Sequence, residues 1–215
     1  MGIRIVLVDD HQLIREGMKA LLAAQPDMQV VGEAEDGMNA IRVCRDTRPD
    51  VVVMDVALPG FNGIEATREI VQASSQTKVL ALTMHSKGQF VRQMLKAGAA
   101  GYLLKGCDFT EILHAIRTVS ANKGYICTHL ANSVIFDLIQ NPDAGSELDL
   151  LTSRERQILQ LIAEGKRSKE IADELLVSVK TIETYRTQIM KKLKIDSIAG
   201  LTRFALAQGL MIDKE

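Results

Sequence analysis

Residues 1–120 repeat one rhythm: a short run rich in Val, Ile and Leu, then a longer amphipathic stretch. The runs fall at 3–8, 30–34, 51–54, 79–82 and 100–104, and the amphipathic stretches at 11–24, 37–47, 62–73, 87–97 and 108–120. Within these stretches Leu13, Gly17, Ala20, Leu21 and Ala24 keep a helical spacing, as do Phe90, Met94, Leu95 and Ala97. Five strands alternating with five helices leave little choice of topology. Parallel strands need crossovers, and the crossover helices cover both faces of the sheet. The runs at 5–8 and 51–54 are apolar throughout, as strands buried on both faces are. The expected fold of this part is α/β, a doubly wound five-stranded parallel sheet.

The rhythm stops near Ser120. Residues 128–140 fit one helix, and Asn141-Pro142-Asp143-Ala144-Gly145-Ser146 supplies turn formers without apolar periodicity, so 121–148 reads as a linker containing a helix. Beyond Leu151 no strand-like run occurs. Helices are expected at 153–164, 168–175, 179–193 and 197–208, giving a small all-α helix-turn-helix domain over 149–215. Thr152 with Glu155 fits a capping box, and Gly165 is a helix stop. The inward faces are read as Ile158, Leu159, Leu161 and Ile162; then Ile171, Ala172 and Leu175; then Val179, Ile182, Ile189 and Leu193.

A net charge of -1 and a pI near 6.4 give the chain no global attraction to polyanions, so a nucleic-acid surface must be local. One such stripe exists. Between 177 and 194, Lys180, Arg186, Lys191, Lys192 and Lys194 stand against Glu183 alone. A helix, a tight turn and a basic amphipathic helix match the arrangement that reads a DNA groove. Cys44, Cys107 and Cys127 are scattered and include no C-x-x-C pair, which reads as reduced thiols and neither a disulfide framework nor a zinc site. No signal-peptide pattern and no apolar stretch of roughly 20 residues is seen, so a cytoplasmic chain with no membrane partner is expected.

In a doubly wound sheet, ligands bind beyond the carboxyl ends of the strands. Here Asp9 and Asp10 close the first expected strand, Asp55 the third, Thr83 the fourth and Lys105 the fifth. Singly, an Asp after a strand is a helix cap and a Lys is a solvated surface group. Jointly they describe phosphoryl transfer. Three converging carboxylates repel and call for a hard cation, for which all-oxygen ligands suit Mg²⁺. A carboxylate beside that ion can attack phosphorus, while an ammonium and a hydroxyl stabilise the phosphoryl oxygens.

Four motifs in order, Val6-Leu7-Val8-Asp9-Asp10-His11, Met54-Asp55-Val56-Ala57-Leu58-Pro59-Gly60, Ala81-Leu82-Thr83-Met84-His85 and Gly101-Tyr102-Leu103-Leu104-Lys105, resemble a response-regulator receiver domain over 1–120. The resemblance implies that Asp55 is the phosphoacceptor, that Asp10 binds Mg²⁺ directly and Asp9 through water, and that the Ala57 carbonyl is a further ligand. It also implies that Lys105 and Thr83 grip the phosphoryl group and that Tyr102 is an aromatic switch. Ala57 and His85 fall where receivers vary and where side chains influence phosphoryl lifetime. His11 is read as a loop or cap residue.

The stretches Leu151-Thr152 through Lys166, Lys169-Glu170-Ile171-Ala172 and Ser178 through Leu193 resemble a LuxR-type helix-turn-helix, so the whole chain resembles a NarL/FixJ-type response regulator. The resemblance implies a recognition helix at 178–193, with Lys180, Thr181 and Arg186 touching DNA and Glu183, Thr184 and Thr187 as base readers. Tyr185 stands where His is common. The last helix, 195–210, is the one the family uses to dimerise. A sensor histidine kinase, promoter DNA and a homodimer when phosphorylated are the implied partners. Turnover is limited to Mg²⁺-dependent self-phosphorylation and self-dephosphorylation.

Two other classes could use these residues. A phosphohydrolase with Asp55 as nucleophile needs a substrate cap and a second acid, yet position 57 is Ala and no insertion breaks the five β/α units. A protein-binding adaptor does not call for the basic face at 180–192.

Overall fold

A computed structural model of the chain describes residues 2–128, 130 and 147–210. It divides into two compact units, Met1–Pro142 and Asp143–Glu215. Apart from Thr128 and Leu130, the helix expected over 128–140 lies outside the described residues, as does the turn-forming segment after it.

The first unit is a parallel sheet wrapped by helices. Its elements are β1 (Ile3–Val8), α1 (Gln12–Ala23), β2 (Met28–Ala34), α2 (Gly37–Thr47), β3 (Val51–Met54), α3 (Gly63–Ala73), β4 (Lys78–Thr83), α4 (Gly88–Lys96), β5 (Gly101–Leu104), α5 (Phe109–Ser120) and β6 (Tyr125–Ile126). The strand order is β2-β1-β3-β4-β5-β6, and every pairing is parallel. The order reverses between β1 and β3, which opens a crevice at their carboxyl ends. All four residues of β3 and the last four of β1 are buried, as their unbroken apolar runs require.

Two expectations change. The sheet has six strands where five were expected, because Tyr125–Ile126 pairs with Gly101 and Tyr102 in a segment read as linker. Two residues are too few to show a period. The apolar spacing chosen for α1 is also the outward one. Met18 and Leu22 face the core, while Leu13 is 85% exposed and Gly17, Ala20, Leu21 and Ala24 are exposed too. A helix apolar on two faces offers two spacings, and only packing selects between them. Phe90 and Met94 in α4 and Ala97 just past its end are buried as their spacing predicts, while Leu95 is half-buried.

The second unit begins with a 3-10 turn at Glu147–Leu150 and continues with α6 (Ser153–Ala163), α7 (Ser168–Glu174), α8 (Val179–Leu193) and α9 (Ile198–Ala207). The Thr152 side chain accepts from Glu155 N–H, and the Glu155 carboxylate accepts from Thr152 N–H, so the predicted capping box is formed. Gly165 ends α6 with φ +86°, a backbone that glycine adopts without strain. The core joins Ile158, Leu159, Leu161 and Ile162 to Ile171, Ala172, Ile182, Ile189, Leu193 and Leu201. Val179 departs from its expected place in the buried stripe: it is 44% exposed.

Candidate functional site

Parallel pairing sets the carboxyl ends of all the strands along one edge. Val8 stands opposite Met54 in the ladder, and Thr83 opposite Leu104. The ladder runs one residue further on both pairs. Asp55 N–H donates to the Val8 carbonyl at 2.8 Å, and Lys105 N–H donates to the Thr83 carbonyl at 2.8 Å. The residues after the strands are thereby held as firmly as the strands themselves. Gly63 lets the start of α3 pass close behind this edge, since a Cβ there would lie 1.9 Å from the Asp55 carbonyl oxygen.

The Lys105 ammonium lies between two carboxylates, 2.6 Å from Asp9 Oδ2 and 2.7 Å from Asp55 Oδ2. All three side chains are nearly shut off from water, with exposures of 8%, 8% and 3% for Lys105, Asp9 and Asp55. Burial pulls the Lys105 pKa down, but the charges and hydrogen bonds of Asp55 and Asp9 outweigh it and hold the ammonium above its usual range. Single ligand atoms of Asp9, Asp10, His11 and Asp55 all lie within 4.8 Å of one another, and three of these four residues are carboxylates. Ala57 reaches the site through its N–H, which donates to Asp55 Oδ1 at 3.3 Å.

Thr83 and Tyr102 are joined through His85. Thr83 is fully buried, and its Oγ1 accepts from His85 N–H at 3.3 Å. Tyr102, also fully buried, donates its hydroxyl to the His85 carbonyl at 2.8 Å. Burial pushes the Tyr102 phenol well above its ordinary pKa, reinforced by the Asp55 charge, so it stays a donor at every working pH. The His85 ring packs on Phe90 with centroids 5.1 Å apart, and burial pulls its pKa down.

Two contributors escaped the sequence reading. The Arg15 guanidinium donates to the Asp9 carbonyl at 2.6 Å, pinning the β1–α1 turn. Its signal was only a basic residue one turn into α1, common on any helix. His11 stands at the N-cap position of α1, but its side chain does not cap the helix. Its Nδ1 instead contacts Asp9 Oδ1 at 3.1 Å and Asp10 Oδ1 at 2.8 Å.

In the second unit the Ser178 hydroxyl caps α8 by accepting from Thr181 N–H. Lys180, Thr184 and Thr187 are exposed on that helix, while Thr181, Glu183 and Arg186 are half-buried. Glu183 accepts from the Ser168 hydroxyl and pairs with Arg186, so it ties α7 to α8. The Thr184 and Thr187 hydroxyls donate to the Lys180 and Glu183 carbonyls, each at 2.9 Å. Lys192 is drawn back to Glu155 at 2.7 Å, while Lys191 is exposed.

Residues 5–117 match the response regulator receiver domain, and residues 149–205 match the bacterial regulatory proteins of the luxR family. The chain is 41% identical over 209 residues to the response regulator GacA of Pseudomonas protegens, covering 97% of this chain and 98% of GacA. It is 38% identical over 208 residues to the response regulator UvrY of Escherichia coli, covering 97% of this chain and 95% of UvrY. Among solved structures, a two-component response regulator of the LuxR family from Aurantimonas superposes with a TM-score of 0.62 at 40% identity, covering 65% of this chain and 99% of that one.

Proposed function

The chain belongs to the response regulators that join a receiver domain to a luxR-family regulatory domain, and from that premise we propose that phosphorylation of Asp55 by a sensor histidine kinase controls its dimerisation and its binding to promoter DNA. The observation that carries this reading is the buried Asp9–Lys105–Asp55 bridge with Asp10 beside it. An Asp55 oxygen bonds to phosphorus as the P–N bond of the kinase phosphohistidine breaks. The imidazole nitrogen keeps the electron pair and takes up a proton. The product is an acyl phosphate on Asp55.

The donor set fits Mg²⁺. Its three carboxylates offer hard oxygen ligands, and they are clustered, as a hard divalent cation requires. Asp9, Asp10 and Asp55 would hold the ion together with the Ala57 carbonyl, and the ion would offset charge on the phosphoryl oxygens. Lys105 moves one of its contacts from carboxylate to phosphoryl oxygen, and Thr83 turns its hydroxyl to another. Engaging Thr83 releases the His85 N–H. Since the His85 carbonyl is the acceptor for Tyr102, the phosphoryl group is felt at the β4–α4 loop and at β5 through one residue. Chemistry ends there, with slow self-phosphorylation and self-dephosphorylation and no further substrate.

The second unit contributes the DNA contacts, from Lys180, Thr181, Glu183, Thr184, Arg186 and Thr187 on α8. Single modules that neutralise few phosphates bind weakly, so a dimer spanning two half-sites gains about 10²–10⁴-fold in avidity. Incubation with acetyl phosphate and Mg²⁺ tests the reading. A hydroxylamine-labile label on the native chain, absent from Asp55→Asn, is expected; an unlabelled native chain would sink it.

A further inference from the structure

Where α7 turns into α8, a left-handed residue closes the helix, Leu176 N–H donating to the Asp173 carbonyl at 3.3 Å and Val177 N–H to the Ala172 carbonyl at 3.0 Å, at a position that favours glycine. Leu176 takes φ +54°, a left-handed backbone that side chains with a Cβ disfavour, and its side chain is 92% exposed. The other described non-glycine residues at positive φ are Arg48, Asn122 and Lys194, all polar and able to use the water around them. At the preceding helix end the same conformation is given to Gly165. Leu175 and Val177 on either side pack against the core, so burial does not call for a third apolar residue here. Val179, three residues on, is likewise exposed although the helical spacing would bury it. Two large apolar side chains thus stand in the open just before and at the head of α8, beside the exposed cation Lys180.

We infer that Leu176 is a specificity contact that packs on a thymine methyl group in the major groove. The inference rests on the DNA-binding reading of α8. In a groove-reading helix the N-terminal residues lie nearest the base edges. The apolar feature that a base pair offers in the major groove is the thymine methyl, and aliphatic side chains are its partners. Strain kept at one exposed position is accounted for when that position meets a ligand. Lys180 and Lys191, exposed on α8, hold phosphates and bring the apolar pair to the bases.

The full-length chain, treated with acetyl phosphate and Mg²⁺, would first select its own site from random duplex DNA. Each thymine of that site is then replaced singly by deoxyuridine, which removes only the methyl. The native chain should lose about fourfold in affinity at one thymine per half-site, the size of one buried methyl group. That loss should vanish in Leu176→Gly, persist in Leu176→Met, and leave every other deoxyuridine effect unchanged. Leu176→Gly should unfold at the native temperature or above it, since glycine relieves the backbone. A Leu176→Gly chain with the native deoxyuridine profile overturns the inference. A native chain that selects no DNA overturns the reading beneath it as well.

Discussion

Two lysines of this chain each hold a carboxylate that the fold has buried, and they differ in what surrounds them. Lys105 at the sheet edge is 8% exposed and bridges Asp9 and Asp55, exposed 8% and 3%. Lys192 on α8 is 39% exposed and reaches Glu155, itself 4% exposed. In water an ion pair is worth little, because solvation competes with it. Out of water the same pair is costly to assemble and far costlier to break, since each partner is then left charged and dry. The sheet edge therefore stores electrostatic tension that a phosphoryl group can draw on, while α8 keeps its charges near water, with Lys192 held by Glu155 but Lys180 and Lys191 exposed to meet a polyanion. The first region is built to be perturbed and the second to be presented.

The largest expected effect is chemical. Asp55→Asn should abolish labelling by acetyl phosphate, a loss of more than about a hundredfold, because the amide is no nucleophile. The fold should survive, since Lys105 keeps Asp9 and the isosteric amide still accepts from Ala57 N–H. Labelling measured beside thermal unfolding separates the two. Residual label on the variant would move the nucleophile elsewhere in the cluster.

Lys105→Met comes next. It leaves Asp9 and Asp55 buried side by side without their cation, and should cost about 3–5 kcal/mol in EDTA. Mg²⁺ should restore more stability to this variant than it adds to the native chain, because the ion then answers a larger unbalanced charge. Denaturant unfolding with and without Mg²⁺ reads both effects. If Lys105→Met costs no more than Lys192→Met, burial is not what distinguishes the two regions.

The two regions also differed in how plainly they could be read. At the sheet edge each candidate residue closes a strand or follows it within two residues, Thr83 ending β4 and Asp9, Asp10, Asp55 and Lys105 coming just after β1, β3 and β5, so the apolar runs located them by counting. The Thr152–Glu155 box was equally local. What escaped was set by packing between distant segments. The outward face of α1, the exposure of Val179, the grip of Arg15 on the Asp9 carbonyl and the tie from Glu183 to Ser168 all depend on which neighbour wins a contested face. β6 escaped because two residues carry no period.

On α8 the expected changes are smaller and depend on salt. Lys180→Ala should weaken operator binding by less than about tenfold, and evenly across sequences, and should lower the slope of log affinity against log salt by about 1. Lys192→Ala should leave that slope near its native value, because its ammonium already answers Glu155. Titrations at several salt concentrations decide it. Equal slopes for the two variants would place Lys192 on the phosphates and remove the contrast between a committed and a presented cation.

The smallest effect is a pH dependence that belongs to the second region. Burial pushes the Glu155 carboxyl up, but the Lys192 ammonium and the Thr152 N–H and hydroxyl outweigh it and hold the pKa below the ordinary 4.5. A carboxyl depressed in the folded state contributes stability that is complete above its unfolded pKa and is lost as pH falls through the folded one. Lys192→Met should therefore cost under about 1 kcal/mol at pH 7, a gap that stays constant down to pH values near 4.5 and closes below. Denaturant unfolding of the native chain and the variant between pH 7 and pH 3 follows the gap. A gap that widened on acidification would mean that Lys192 opposes the capping box instead of supporting it, and the water around this pair would then be doing more than screening it.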